Sequence, residues 1–139
     1  MQPGFQSRYV EAICDQDGRN WKLLKPVDYI SMDGRHFRIP EGASTDGAST
    51  PAVIWNKIPP FGDYWQSAVL HDSAYQNTLQ LVTTDGESET ATRAALDKAT
   101  CDNLLREAMR VSGVDEVTVS LIYEGVNLCG QASFKEDRS

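Results

Sequence analysis

The chain has 139 residues, 40% of them hydrophobic and 24% charged, which excludes collagenous, low-complexity and wholly disordered classes. Its length suits a single domain spanning 1–139, since one core grows efficiently to a couple of hundred residues. Thirteen Lys and Arg (13) against 20 Asp and Glu leave a net charge of -7, so phosphate backbones repel it at long range and nucleic acid is not an expected partner.

Residues from about 8 to 40 read as β. Arg8–Cys14 alternates imperfectly, Asp15–Asn20 makes a turn, and Trp21–Leu24 follows. Val27–Ser31 and His36–Ile39 flank a second turn at Asp33-Gly34. Asp-Gly supplies the positive φ that hairpin turns need, so the two pairs predict a small antiparallel meander. Residues 40–62 form a loop punctuated by Pro40, Gly42, Gly47, Pro51, Pro59, Pro60 and Gly62. Within it Thr50-Pro51 fits the start of a short helix through Ala52–Trp55, which Pro59-Pro60 stops.

Residues from about 63 to 130 read as helical. Asp63 can cap a helix to about Gln76, with Trp65, Ala68, Val69, Asp72 and Tyr75 at three- and four-residue steps. Thr83–Glu89 reads as a polar loop without periodicity, the expected site of mobility. A second helix is predicted over roughly Thr92–Val111, its apolar stripe being Leu104, Leu105, Ala108 and Met109, with Ser112-Gly113 ending it. A third, from Asp115 to about Cys129, is predicted to bury Val117, Leu121, Ile122, Gly125 and Cys129. The polar tail 131–139 is expected to fray. The fold class is therefore α+β: an N-terminal antiparallel β-meander, a short helix, then three longer packed helices.

No apolar run approaches the roughly 20 residues that a membrane-spanning helix needs, and Met1–Gln6 carries no secretory pattern. Cys14, Cys101 and Cys129 are widely spaced and odd in number, which argues against a disulfide framework or a zinc site and for small buried thiols. The chain is accordingly expected to be made in a cytoplasm.

Two histidines occur. His36 stands beside Arg35 and Arg38 with no acidic neighbour in sequence, and reads as an ordinary surface or half-buried residue. His71 lies on a predicted helix in Leu70-His71-Asp72-Ser73-Ala74-Tyr75. Residues i and i+4 share a helical face, so His71 and Tyr75 project together while Asp72 is rotated by about 100°. A neutral imidazole can take a proton from water while a carboxylate holds a hard cation that polarises the substrate. Asp102, at the edge of the next helix's apolar stripe, can face inward against His71. It can equally be a solvated residue paired with Arg106, and Asp97 competes for the same place. One histidine among carboxylates suits calcium, magnesium or manganese before zinc, with Asp72 and Asp46 as candidate ligands. Thr45-Asp46-Gly47 can also be a tight turn in which Asp46 bonds its own backbone. Trp55, Phe61, Tyr64 and Trp65 are candidates for a substrate-facing rim or for the core.

The succession Phe37–Gly42, Thr45–Pro51, Ile58–Gly62, Ala68–Tyr75 and Cys101–Met109 resembles the domain-of-unknown-function family 1353, which tailed phages and prophages carry. The match runs in order from about residue 8 to 130 and implies a phage origin more firmly than a chemistry. A more distant similarity joins His71-Asp72-x-x-Tyr75 and Cys101-Asp102 to the H-D-x-x-Y and A-D motifs of calcium-dependent phospholipases A2. That resemblance implies His71 as general base, Asp72 as calcium ligand, Asp102 as the carboxylate orienting His71, and a Tyr75–Asp102 hydrogen bond. The glycine-rich calcium loop of those enzymes has no counterpart here; Thr45–Ser49 is the nearest substitute. The expected function is a phage-encoded hydrolase-like domain with a His-Asp-Tyr-Asp centre, acting on an ester or amide of the host envelope. The alternatives are a non-catalytic virion component (a tail or neck protein beside other virion proteins) and a small accessory protein acting against host defence.

Overall fold

A computed structural model describes residues 2–7, 10–14, 21–45, 65–129 and 134. Eight strands come first or intervene: β1 (Gly4–Phe5), β2 (Ala12–Cys14), β3 (Trp21–Leu23), β4 (Val27–Ile30), β5 (His36–Ile39), β6 (Ser44–Thr45), β7 (Gln80–Asp85) and β8 (Ser88–Arg93). Three helices follow the first six strands or close the chain: α1 (Trp65–Tyr75), α2 (Lys98–Val111) and α3 (Glu116–Cys129). The α+β class holds, with six antiparallel strands N-terminal and the β7–β8 hairpin standing between α1 and the last two helices.

The β part divides into two antiparallel sheets. One is five-stranded in the order β1-β4-β5-β7-β8, the other three-stranded in the order β2-β3-β6. The Asp33-Gly34 turn closes the β4–β5 hairpin, with Gly34 at φ 89°, a conformation that a Cβ would strain. Alternation then follows from the pleat. Tyr29 opposes Phe37 and Val27 opposes Ile39 on the face turned to the helices, while Asp28, His36 and Arg38 stand on the other. The Asp15–Asn20 turn lies outside the described residues, but the strands expected on either side of it, β2 and β3, pair antiparallel.

The stretch read as a mobile polar loop is instead a hairpin. β7 and β8 pair without a break from Gln80↔Arg93 to Asp85↔Ser88. Gly86, at φ 66°, takes the first central position of the two-residue turn, where only glycine sits without strain. Periodicity failed here for a physical reason: every residue of β8 is exposed, so no buried face exists to impose an alternation. The same hairpin moves the start of the second helix. Thr92 and Arg93 belong to β8, and α2 begins at Lys98 behind an Asp97 N-cap whose side chain accepts from Thr100 N at 2.8 Å.

The helical core forms as its stripes direct. Leu104, Leu105, Ala108 and Met109 of α2 are buried as expected, and Gly113 (φ 88°) ends the helix. On α3 the buried stripe is Val119, Ile122 and Val126, whereas Val117 is 79% exposed and Leu121 is also exposed. Val117 lies about 200° around the helix from Val119, so the two apolar stripes of α3 face opposite ways and only one meets α1 and α2. Helix α1 is buried throughout from Ser67 to Tyr75, as befits an element enclosed on all sides. Cys14 and Cys101 are free thiols; Cys101 is buried and Cys14 only partly so. Phe134 packs edge-on to Tyr75 at 5.3 Å, so at that position the tail lies against the core. The short helix at 52–55, the Pro59-Pro60 stop and the remaining tail residues lie outside the described residues. No described helix is long and apolar enough to cross a membrane.

Candidate functional site

The face-sharing of His71 and Tyr75 on α1 is realised, and both aim at α2. Their rings are 4.1 Å apart between centroids. His71 Nε2 lies 2.8 Å from Asp102 Oδ1, and the Tyr75 hydroxyl donates to the same oxygen at 2.6 Å. The structure therefore chooses Asp102 over Asp97, which is occupied capping α2. It also sets aside the Asp102–Arg106 pairing, because Arg106 bonds Asn103 and stacks on the Tyr123 ring.

A third group completes the arrangement, and the sequence reading missed it. Lys98 Nζ donates to Asp102 Oδ2 at 2.8 Å and to the carbonyls of Val126 and Asn127 at 3.2 and 3.3 Å. Those carbonyls belong to the last turn of α3, which has no intrahelical donors for them and carries partial negative charge. Lys98 thus caps α3 and neutralises Asp102 at once, tying three helices to one carboxylate. The available signal was the Lys98–Asp102 spacing of i,i+4 on one predicted helix, one turn before Asp102 as Arg106 is one turn after it.

The electrostatics determine the tautomer. Burial opposes the ionised form of Asp102, which is only 1% exposed, but hydrogen bonds from His71, Lys98 and Tyr75 outweigh it and hold the carboxyl below its ordinary range. An ionised carboxylate only accepts, so the proton of the His71–Asp102 bond sits on Nε2. In a neutral ring the lone pair is then on Nδ1, the nitrogen turned away from Asp102. Such a histidine is oriented, prevented from rotating, and able to accept a proton at Nδ1 with its new charge offset by Asp102.

Asp72 is buried beside this cluster on α1. Asp46, Trp55, Phe61, Tyr64 and the Trp65 side chain lie outside the described residues. Among the described residues no three His, Cys, Asp or Glu side chains converge to hold a metal ion. Asp72 alone does not complete the six to eight oxygens that calcium takes, nor the octahedron of magnesium.

With this geometry, the sequence profile of the proteins of unknown function DUF1353 matches residues 21–126, from β3 to the last turns of α3. The chain belongs to the DUF1353 family. The match embraces every residue of the Asp102 cluster. No curated protein and no solved structure matches the chain.

A second His–Asp pair emerges in this DUF1353 chain on the outer face of the large sheet. His36 Nε2 lies 2.8 Å from Asp28 Oδ1, which also accepts from Arg38 Nε at 2.8 Å; Arg38 reaches Glu89 at 2.5 Å. Eight positions apart in sequence, Asp28 and His36 meet because the hairpin register opposes Asp28 to Arg38 and Ile30 to His36. His36 is half-buried, as expected, and the acidic partner it lacks along the chain comes from the facing strand.

Proposed function

We propose that this chain is a phage-encoded hydrolase-like domain in which His71 is the general base, acting on an ester or amide of the host envelope. The observation that carries the reading is the bond from His71 Nε2 to the ionised, triply held Asp102, which leaves the basic lone pair on Nδ1. In the reaction, Nδ1 takes a proton from water as the water oxygen bonds to the substrate carbonyl carbon. The tetrahedral intermediate then expels its alkoxide or amine, and the proton on Nδ1 passes to that leaving group. Asp102 stabilises the transient imidazolium, while Tyr75 and Lys98 keep the carboxylate in register. The likeness to the phospholipase A2 motifs supports these roles for His71, Asp102 and Tyr75.

Calcium, magnesium or manganese belongs to the proposal only through Asp72 and Asp46. Since the described donors do not complete a shell, no step is routed through a cation, and metal dependence becomes a readout. The protein would be synthesised in the host cytoplasm and carried in the virion.

The burial of the cluster, with His71 2% exposed, favours a second reading: a virion component whose helices the polar cluster locks together. One set of measurements separates the two. Wild type, His71→Ala and Asp72→Asn are assayed on short-chain nitrophenyl esters and phospholipid vesicles, and melted with and without each divalent cation. As a hydrolase, His71→Ala loses about 10²–10⁴-fold in rate with its melting temperature nearly kept. Asp72→Asn removes any cation-dependent rise in melting temperature. No metal response in wild type, together with a His71→Ala variant melting far below it, overturns the hydrolase reading.

A further inference from the structure

Edge strands expose unpaired backbone groups, and proteins blunt them with brevity, proline, lysine or a bulge. The five-stranded sheet protects one edge in this way: β1 has two residues, Gly4 and Phe5. Its other edge is different. Among the described residues it is formed by β8, which is six residues long, fully exposed, free of proline and lysine, and paired to β7 without a bulge. Threonines at 90 and 92 favour the extended conformation.

The hydrogen-bond phase of this edge follows from the hairpin. Ala94 N donates to Leu79 O at 2.8 Å, so the 94/79 pair is a hydrogen-bonded one. Stepping by two, Thr92, Thr90 and Ser88 turn their backbone groups toward β7, and Glu89, Ala91 and Arg93 turn theirs outward. The outward set reads acidic, small, basic, with equal spacing on either side of Ala91.

We propose that this edge pairs, antiparallel and centred on Ala91, with the same edge of a second copy of this chain. Ala91 then lies on the two-fold axis, where its small side chain lets the two strands approach. Glu89 stands opposite the partner's Arg93, and Arg93 opposite the partner's Glu89, so both charge pairs are complementary. Arg93 takes part in no ion pair among the described residues, while Glu89 meets Arg38 over the sheet face. All three opposed pairs are hydrogen-bonded ones, giving about six inter-strand bonds. A lysine or any single-sign edge would repel its own copy; this edge matches it. The contact is short, which places the dimer among weak, exchanging interfaces and makes one ten-stranded sheet of two five-stranded ones.

The test is sedimentation velocity of the full chain from micromolar to millimolar concentration. Wild type passes from monomer to dimer. Ala91→Pro stays monomeric with its melting temperature nearly unchanged, because the lost N–H points outward and the β7 ladder is untouched. Arg93→Glu and Glu89→Arg each weaken self-association about tenfold by opposing like charges, and mixing the two variants restores a dimer. Ala91→Cys oxidises to a covalent dimer and Thr90→Cys does not, since only the residue on the axis meets itself at disulfide distance. A wild type monomeric at millimolar concentration overturns the proposal. So does a dimer indifferent to both Ala91→Pro and Arg93→Glu, and a cross-link through Thr90→Cys in place of Ala91→Cys overturns the register.

Discussion

The molecule holds two histidine–aspartate pairs with the same 2.8 Å separation and opposite surroundings. His71–Asp102 sits between helices, its side chains 2% and 1% exposed, with Tyr75 and Lys98 filling the remaining acceptor positions. His36–Asp28 sits on the outer face of a sheet, 14% and 28% exposed, sharing its carboxylate with Arg38. Distance alone therefore says little about what a pair does. Solvent reaches the sheet pair more than the helical one and weakens its attraction by screening. In the helical pair the shared Asp102 carboxylate is what lets His71 and Tyr75 be buried and keeps Lys98 paired. That shared acceptor is what fixes the orientation of the His71 ring.

The comparison breaks most visibly at the two carboxylates. Asp102→Ala leaves Tyr75 and His71 buried without their acceptor and Lys98 without its counter-ion, and chemical denaturation should show a loss of about 3–5 kcal/mol. A loss within 1 kcal/mol would place the cluster in effective contact with water and erase the distinction.

Acid titration addresses the same carboxylate from another side. Asp102 is held below its ordinary value in the folded protein, so between its folded and unfolded pKa values the unfolded chain binds more protons. Its contribution to stability is fully present above about pH 4 and is lost as pH falls through the lowered folded value. Urea midpoints of wild type and Asp102→Asn should differ most above about pH 4 and converge below it. Parallel profiles across that range would mean that Asp102 is not ionised in the folded state.

Removing one hydroxyl is gentler. Tyr75→Phe deletes a single bond to a charged acceptor and should cost about 1.5–3 kcal/mol. An unchanged denaturation midpoint would show that the 2.6 Å contact is not a buried one. The smallest effect belongs to the sheet: Asp28→Asn should cost at most about 1 kcal/mol, shrinking further in high salt. A salt-independent loss as large as that of Tyr75→Phe would make the two pairs equivalent after all.

Legibility in the sequence followed the presence of a buried face. Leu104, Leu105, Ala108 and Met109 announced α2 because a helix with one wet side must repeat its apolar residues. The Asp33-Gly34 turn announced the β4–β5 hairpin because few residues accept its backbone angles. The β7–β8 hairpin left no such trace, β8 having no side to bury. Only Asp85-Gly86 between threonine-rich flanks marked it. On α3 the sequence reading takes the stripe of Val117 and Leu121 as buried, whereas Val119, Ile122 and Val126 meet the neighbouring helices. Apolar residues stand on both faces, and only packing selects between them.

By itself the sequence determined the α+β class, the placement of His71 and Tyr75 on one helical face, and Asp102 at the border of an apolar stripe. These are properties of single elements, set by a 3.6-residue period and by turn chemistry. The tertiary structure alone decided that Asp102 and not Asp97 meets His71, and that Lys98 joins α2 to the end of α3. It also decided that Asp28 meets His36 and that, among the described residues, β8 ends the sheet. Each of those depends on which elements lie side by side and in what register, and a contact between residues tens of positions apart is settled by the packing of whole faces.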